Sequence, residues 1–150
     1  MHSSFRSIVF LVGLVFVVVA AVFLTSNSPK PISGTPIIKL GGQEVTVIIA
    51  DTPEERTQGL SGRQSLAEGE GMLFVFPEDG RHSIWMKDML FSIDIVWVSP
   101  DGVVVDIAAG VSPDTYPAAF SPRSEARYVL ELPAGFTERY TIVVGNRVEF

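Results

Sequence analysis

The pattern of apolar and polar positions divides the chain near residue 25. Ile8 to Leu24 (IVFLVGLVFVVVAAVFL) carries no charged or polar side chain, and Gly13 is its one residue without an apolar side chain. At 1.5 Å rise per residue this run is roughly 25 Å long, the short end of a membrane span. It exceeds the apolar core of a cleavable signal, about 7–15 residues, and Pro29 blocks the best cleavage position after Ser28. The pattern predicts a retained transmembrane anchor, ahead of a cleaved signal or a buried core helix. Residues 1–7 form a short tail before it. Residues 25–36 (TSNSPKPISGTP) read as a linker, because Ser, Gly and three prolines keep the chain polar and extended.

Behind the linker the periodicity becomes that of strands. Ile37–Leu40, Gly41-Gly42 and Gln43–Ala50 predict a β-hairpin, with the glycine pair supplying the positive φ of a tight turn. Thr52-Pro53-Glu54-Glu55 is a helix start. Thr52 can cap, Pro53 suits the first helical position, and Glu55 can bond back to the cap. Gly59 stops that helix early, and Ser65 to Gly71 allows a second short turn. Met72–Phe76 (MLFVF) is apolar throughout, as a strand buried on both faces would be. Ser83–Met86 predicts another strand. Ser92–Val98 and Val103–Ala108 form a second hairpin around Ser99-Pro100-Asp101-Gly102. Gly110 to Ser124 reads as loop. In Arg127–Leu132 the apolar Tyr128, Leu130 and Leu132 alternate with Arg127, Val129 and Glu131. Thr141–Val144 and Arg147–Phe150 suggest a closing hairpin. The expected fold over residues 37–150 is mainly β, a compact β-sandwich or small barrel with one or two short helices, preceded by one N-terminal transmembrane helix.

Charge and composition narrow the function classes. There are 17 acidic and 11 basic residues, and the only charge before Lys30 is the positive Arg6, so the domain is more acidic than the chain's net −6. Nucleic-acid affinity rests on Lys and Arg neutralising phosphates, and no basic stripe is present. Membrane affinity must therefore come from the apolar segment rather than from the domain surface. The positive-inside count is nearly balanced, Arg6 and the amino terminus against Lys30 and Lys39. The short tail favours an extracytoplasmic domain. Without cysteine there is no disulfide, thiol catalysis or thiolate zinc site.

Few motifs carry chemistry. Gly59-Leu60-Ser61-Gly62-Arg63 resembles a nucleophile elbow but has Arg where the second flanking glycine belongs, and it follows a helix rather than a strand. His82 is the one histidine of the domain, and no serine and carboxylate are placed beside it. No calcium-loop spacing, phosphate loop or dinucleotide fingerprint occurs. No catalytic residue, metal site or cofactor is expected. The informative stretch is Ser83 to Trp97 (SIWMKDMLFSIDIVW), where Lys87, Asp88 and Asp94 lie among large apolar groups. Charges in such company are usually paired. Lys87, Arg56 and Arg63 are the candidate partners for Asp94. One reading is an internal ion pair. The other is a shallow ligand pocket rimmed by Trp85, Met86 and Trp97, with Arg56, Arg63, Lys87, Asp88 and Asp94 orienting the ligand.

Several of these segments together resemble the domain of unknown function 192 family. They are Ala50 to Arg56, Gly59-Leu60, Arg63, Leu66, Glu70 to Phe76, Trp85-Met86-Lys87, Asp94-Ile95, Asp101-Gly102, Tyr128 to Leu132, Ala134-Gly135 and Gly145. The resemblance covers about Val45 to Val148 and implies a compact β-sandwich-like fold, often exported or membrane-anchored, with no known activity. Ser61 stands where the family usually has Met. Asp88-Met89 replaces its usual Asn-Thr, and Ser92-Ile93-Asp94 its Pro-Leu-Asp. The expected function is a membrane-anchored extracytoplasmic module that binds a small ligand or an envelope protein without catalysis. The alternatives are a hydrolase using Asp88 and Asp94 as paired carboxylates, or a structural accessory subunit of an envelope complex.

Overall fold

The computed structural model describes residues 36–150. The short tail, the 8–24 anchor and nearly all of the linker lie outside the described residues. Among the described residues no helix is long and apolar enough to cross a membrane.

Nine strands follow in chain order: β1 (Ile37–Leu40), β2 (Gln43–Ala50), β3 (Glu70–Gly80), β4 (Ile84–Trp85), β5 (Ile93–Val98), β6 (Val104–Val111), β7 (Ala119–Phe120), β8 (Ala126–Pro133) and β9 (Val148–Glu149). Helix α1 spans Pro53–Gln58, helix α2 Phe136–Arg139, and a single 3-10 turn Pro113–Thr115. Seven strands form one sheet in the order β6-β5-β8-β3-β2-β1-β9, and β4 and β7 pair separately. All neighbours in the large sheet are antiparallel except β2 and β3, which α1 connects in parallel.

The large sheet curls into a half-barrel, one sheet bent on itself; of the sandwich or small barrel expected from the sequence it is nearer the barrel, and it is not the sandwich that the family resemblance implies. Val103 bridges Arg147, and Val104 N–H donates to Asn146 O while Gly145 N–H donates to Val104 O. The terminal strand thereby ties the β1 edge back to the β5–β6 turn. The enclosed face is filled by residues of all seven strands, including Leu40, Val47, Leu73, Val96, Leu130 and Val148, and is plugged by Phe136 and Ile142. The outer face of β3, β5 and β8 is covered as well. Phe74, Ile95, Trp97 and Val129 pack there under Leu60, Leu66, Ile84, Met86 and Met89 from the connecting segments. Every residue of β5 is consequently buried.

The first two of the three predicted hairpins form, β1–β2 and β5–β6, as does α1 with its capping box: Thr52 accepts from the Glu55 backbone, and the Glu55 side chain accepts from Thr52. The closing hairpin does not. Residues 141–144 are not a strand, and β9 pairs with β1 instead. The reason is local: Thr141 sits at φ 54°, and a turn closes between Val143 and Asn146, whose carboxamide accepts from Val143 N–H. The second short turn expected within Ser65 to Gly71 forms at Glu68-Gly69, closed by Glu70 N–H on Ala67 O at 3.0 Å, and β3 runs from Glu70 through Pro77 to Gly80. The loop expected from Gly110 to Ser124 holds the 3-10 turn and β7.

Candidate functional site

The residues that the sequence grouped into one pocket divide between the two faces of the sheet. Side chains alternate along a strand, so Ile93, Ile95 and Trp97 face outward and Asp94 faces inward with Leu132. The Asp94 carboxylate is fully buried and accepts four hydrogen bonds: from Gly110 N–H at 2.8 Å, Gly135 N–H at 3.2 Å, Thr137 N–H at 2.8 Å and the Thr137 hydroxyl at 2.7 Å. It forms no ion pair with Lys87, Arg56 or Arg63, which corrects the pairing expected for it. Its role is to hold α2 and a bulge of β6 against the enclosed core. Asp88 is exposed in a turn at φ 55°, with its carbonyl accepting from Gly62 N–H. With Asp94 locked by four donors, Asp88 and Asp94 do not make an acid–base pair.

Trp97 is 1% exposed and donates its indole N–H to His82 O at 2.8 Å, so it is a core strut rather than a pocket rim. Met86 is buried beside it in the same core. Arg63 is exposed, and its backbone N–H closes a turn on Leu60 O. Arg56 donates Nη1 to the carbonyls of Asp51 and Val75 and lies over the Phe76 ring, 5.3 Å from its centroid. Phe76 in turn stacks on His82 at 3.6 Å with the rings 3° from parallel. His82 is thus half-buried against an aromatic ring.

What the structure does bring together is a shallow cleft on the outer face. It holds about 50 Å³ and lies between α1 with the Gly59–Ser61 turn on one side and Ser83–Trp85 with Met89 on the other. Arg56 and Trp85 are the two predicted residues that line it. Trp85 is 49% exposed, sets an edge-on contact to Tyr116, and carries the Lys87 ammonium 5.9 Å from its ring centroid. Lys87 therefore sits at the rim, its backbone carbonyl accepting from the Ser61 hydroxyl at 2.8 Å.

Glu131 is the residue the sequence did not single out. It lies on β8 between Met72 of β3 and Ile95 of β5, is 4% exposed, and lines the cleft. Its Oε2 is the one buried side-chain oxygen or nitrogen among the described residues without a hydrogen-bond partner. Burial alone pushes its carboxyl up to about 8, and no neighbouring cation brings it down. Buried polar groups are nearly always satisfied, so an unpartnered carboxyl beneath an open cleft marks a place where something else can bond. Among the described residues no group of three or more His, Asp or Glu is placed to hold a metal ion.

The fold thus defines a curled, mainly β domain with a core on each face of its sheet and one unsatisfied acid beneath a shallow cleft. The chain belongs to the DUF192 family of uncharacterized proteins, whose model matches residues 36–150. A UPF0127 protein of Pyrococcus abyssi is 29% identical over 109 residues, covering 71% of this chain and 87% of that protein. A crystal structure described as a proposed transcription regulator from Sinorhizobium meliloti 1021 is similar at 33% identity and a TM-score of 0.71, covering 75% of this chain and 91% of that one. A protein of unknown function from Novosphingobium aromaticivorans is similar at 28% identity and a TM-score of 0.72, covering 82% and 91%.

Proposed function

We propose that this protein is a membrane-tethered, extracytoplasmic binding module that takes a small ligand in the cleft above Glu131 without transforming it. The observation that carries the reading is the unpartnered, buried Glu131 oxygen at the cleft. Leaving such a group unsatisfied costs about 1–3 kcal/mol, which a bound partner would recover. The apolar segment 8–24 supports the tether, and the acidic domain disfavours a nucleic-acid partner. No second carboxylate or nucleophile with an adjacent base accompanies Glu131 along the cleft, which favours binding over hydrolysis.

Two measurements test this reading. In the first, isotope-labelled full-length chain in detergent micelles is screened by amide shifts against a soluble fragment library of polyols, amines, amides and short peptides. Binders are expected to perturb Ser61, Trp85 and Glu131 together. A library that leaves these amides unmoved removes the cleft from consideration. In the second, membranes are extracted with alkaline carbonate. The full chain is expected in the pellet and a chain starting at residue 25 in the supernatant, with the domain open to protease added from the extracytoplasmic side.

A further inference from the structure

Resting on the cleft reading above, we infer that this cleft receives a carboxylate on a short apolar stem, supplied either by a free small acid or by the C-terminus of a peptide. Most polar groups along its walls are already spent. The Thr57 hydroxyl donates to Pro53 O at 2.8 Å, Gln58 Nε2 to Ser61 O at 3.0 Å, and Ser61 Oγ to Lys87 O at 2.8 Å. Ser83 Oγ shares a hydrogen with Ser121 Oγ at 2.7 Å. Two groups keep capacity. Arg56 directs Nη1 at the carbonyls of Asp51 and Val75, and its Nε and Nη2 have no partner among the described residues. Glu131 Oε2 is equally bare, so the guanidinium and the carboxyl line one cleft without pairing with each other.

Both groups are donors at neutral pH. Burial pushes the Glu131 carboxyl up to about 8, so the acid keeps its proton and offers an O–H. Arg56 offers an N–H edge and a positive charge that a neutral ligand would leave unmatched. A carboxylate answers both. Its two oxygens accept from the guanidinium edge and from the acid, and its single charge balances that of Arg56. The guanidinium is oriented in advance, because two carbonyls hold Nη1 and the Phe76 ring lies 5.3 Å away. Less side-chain freedom is then lost on binding. Leu60, Phe74, Ile84 and Met89 supply apolar wall for the stem. The volume of about 50 Å³ admits a carboxylate and two or three carbons, since one water-sized site needs roughly 10–15 Å³. Among the described residues Glu131 is the one acid lining the cleft, and the rim carries the Lys87 ammonium. The chain's net −6 opposes an anion at long range, but salt screens such charges beyond roughly 8–10 Å.

The strand neighbours of Glu131, Met72 and Ile95, bring no charge to it. The charged and titratable groups nearest the cleft are Arg56 on α1, Lys87 at the rim and His82 stacked on Phe76. A carboxylate binds the protonated form of Glu131. Below about pH 8 that proton is already in place and affinity stays level. Above pH 8 the proton must be taken up on binding, and affinity should fall about tenfold per pH unit.

The experiment titrates full-length protein in detergent at pH 6, 7, 8 and 9 and constant ionic strength, reading methyl shifts of Leu60, Ile84 and Met89. The probes are butyrate, Nα-acetyl-alanine, butyramide, n-butylammonium and inorganic phosphate. One or both carboxylates are expected to bind, level from pH 6 to 7 and about tenfold weaker at pH 9 than at pH 8. Butyramide and butylammonium should be at least about tenfold weaker than butyrate. Arg56→Lys, which keeps the charge but not the fork, should weaken the carboxylates at least about tenfold. Glu131→Gln, which cannot ionise, should remove the fall above pH 8. If that fall persists, or if Arg56→Lys binds as tightly as the unaltered chain, the inference fails. The comparison of butyrate with butyramide needs no variant and decides the matter even where one does not fold. Butyrate binding without acetyl-alanine assigns the site to a free acid, and the reverse to a peptide terminus. If butyramide or butylammonium matches butyrate, or phosphate exceeds it, the carboxylate is overturned while the cleft reading stands. The same holds if the fragment library moves the cleft amides and neither carboxylate binds. If nothing moves them, both fall.

Discussion

Glu131 and Asp106 place opposite demands on pH. Glu131 ionises near 8 in the folded protein because it is desolvated, against an ordinary value of 4.5. The folded state thus holds a proton that the unfolded state has already lost. Its contribution to stability is intact below about pH 4.5 and falls as pH rises towards 8. Across that window the loss is on the order of 5 kcal/mol. Asp106 runs the other way. Bonds from Arg123 Nε and Nη2 and from its backbone N–H hold Asp106 down to about 2 from 3.8, so its stabilisation is present above pH 3.8 and is lost as pH falls through 2. The two windows do not overlap. Urea midpoints of the full chain should therefore decline from pH 5 to pH 8, and Glu131→Gln should flatten that decline. A wild-type midpoint that stays level over this range would mean that Glu131 is solvated.

At the scale of elements, the short helices depend on single side chains. α2 has four residues and Gly135 at its cap, with no side-chain cap of its own. Asp94 of β5 supplies the missing acceptor from across the core. Asp94→Ala strands four donors and should lower stability by more than about 3 kcal/mol, whereas Thr137→Val removes one bond and should cost about 1 kcal/mol. Thermal unfolding that ranks these two equally would show that Asp94 is not the anchor of α2. α1 is the converse case, since its cap was legible. Thr52→Ala is expected to cost about 1 kcal/mol and to loosen the cleft wall at Arg56 and Gln58, read as faster amide exchange. The capping box is written in four consecutive residues, so sequence alone sufficed. Asp94 could be recognised as a charge in apolar company, but its partners lie 16, 41 and 43 positions away, and three of its four donors are backbone amides, a group every residue but proline carries. Glu131 escaped notice for a related reason. Its place in an alternating strand reads as a solvated face, and only the segments at Leu60, Ile84 and Met89, folding over that face, bury it.

The whole molecule depends on how its sheet closes. The strand inventory and the two hairpins could be read from local turns. The curl could not, because it rests on β9 reaching both β1 and the β5–β6 turn, contacts between chain segments about a hundred and about forty-five residues apart. Gly102 sits at that seam. Its φ is +76°, and an added Cβ would lie 2.8 Å from Val148 O, the backbone of β9; the Val148 N–H donates to Gly102 O at 2.8 Å. Gly42 offers a matched comparison, with φ +77° and nothing within 4 Å of the same added atom. Alanine at either position incurs the backbone strain of a left-handed conformation, about 1 kcal/mol. Only at Gly102 must it also displace the terminal strand. Gly102→Ala is therefore expected to destabilise the protein by at least about 1 kcal/mol more than Gly42→Ala, within the range of overpacking costs. Hydrogen exchange should accelerate at Val104, Gly145 and Val148, while the amides of β3 and β8 in the middle of the sheet stay protected. Equal losses from the two alanines, with no selective exchange at the seam, would mean that the sheet edges are held together by the enclosed side chains Phe136 and Ile142 rather than by β9.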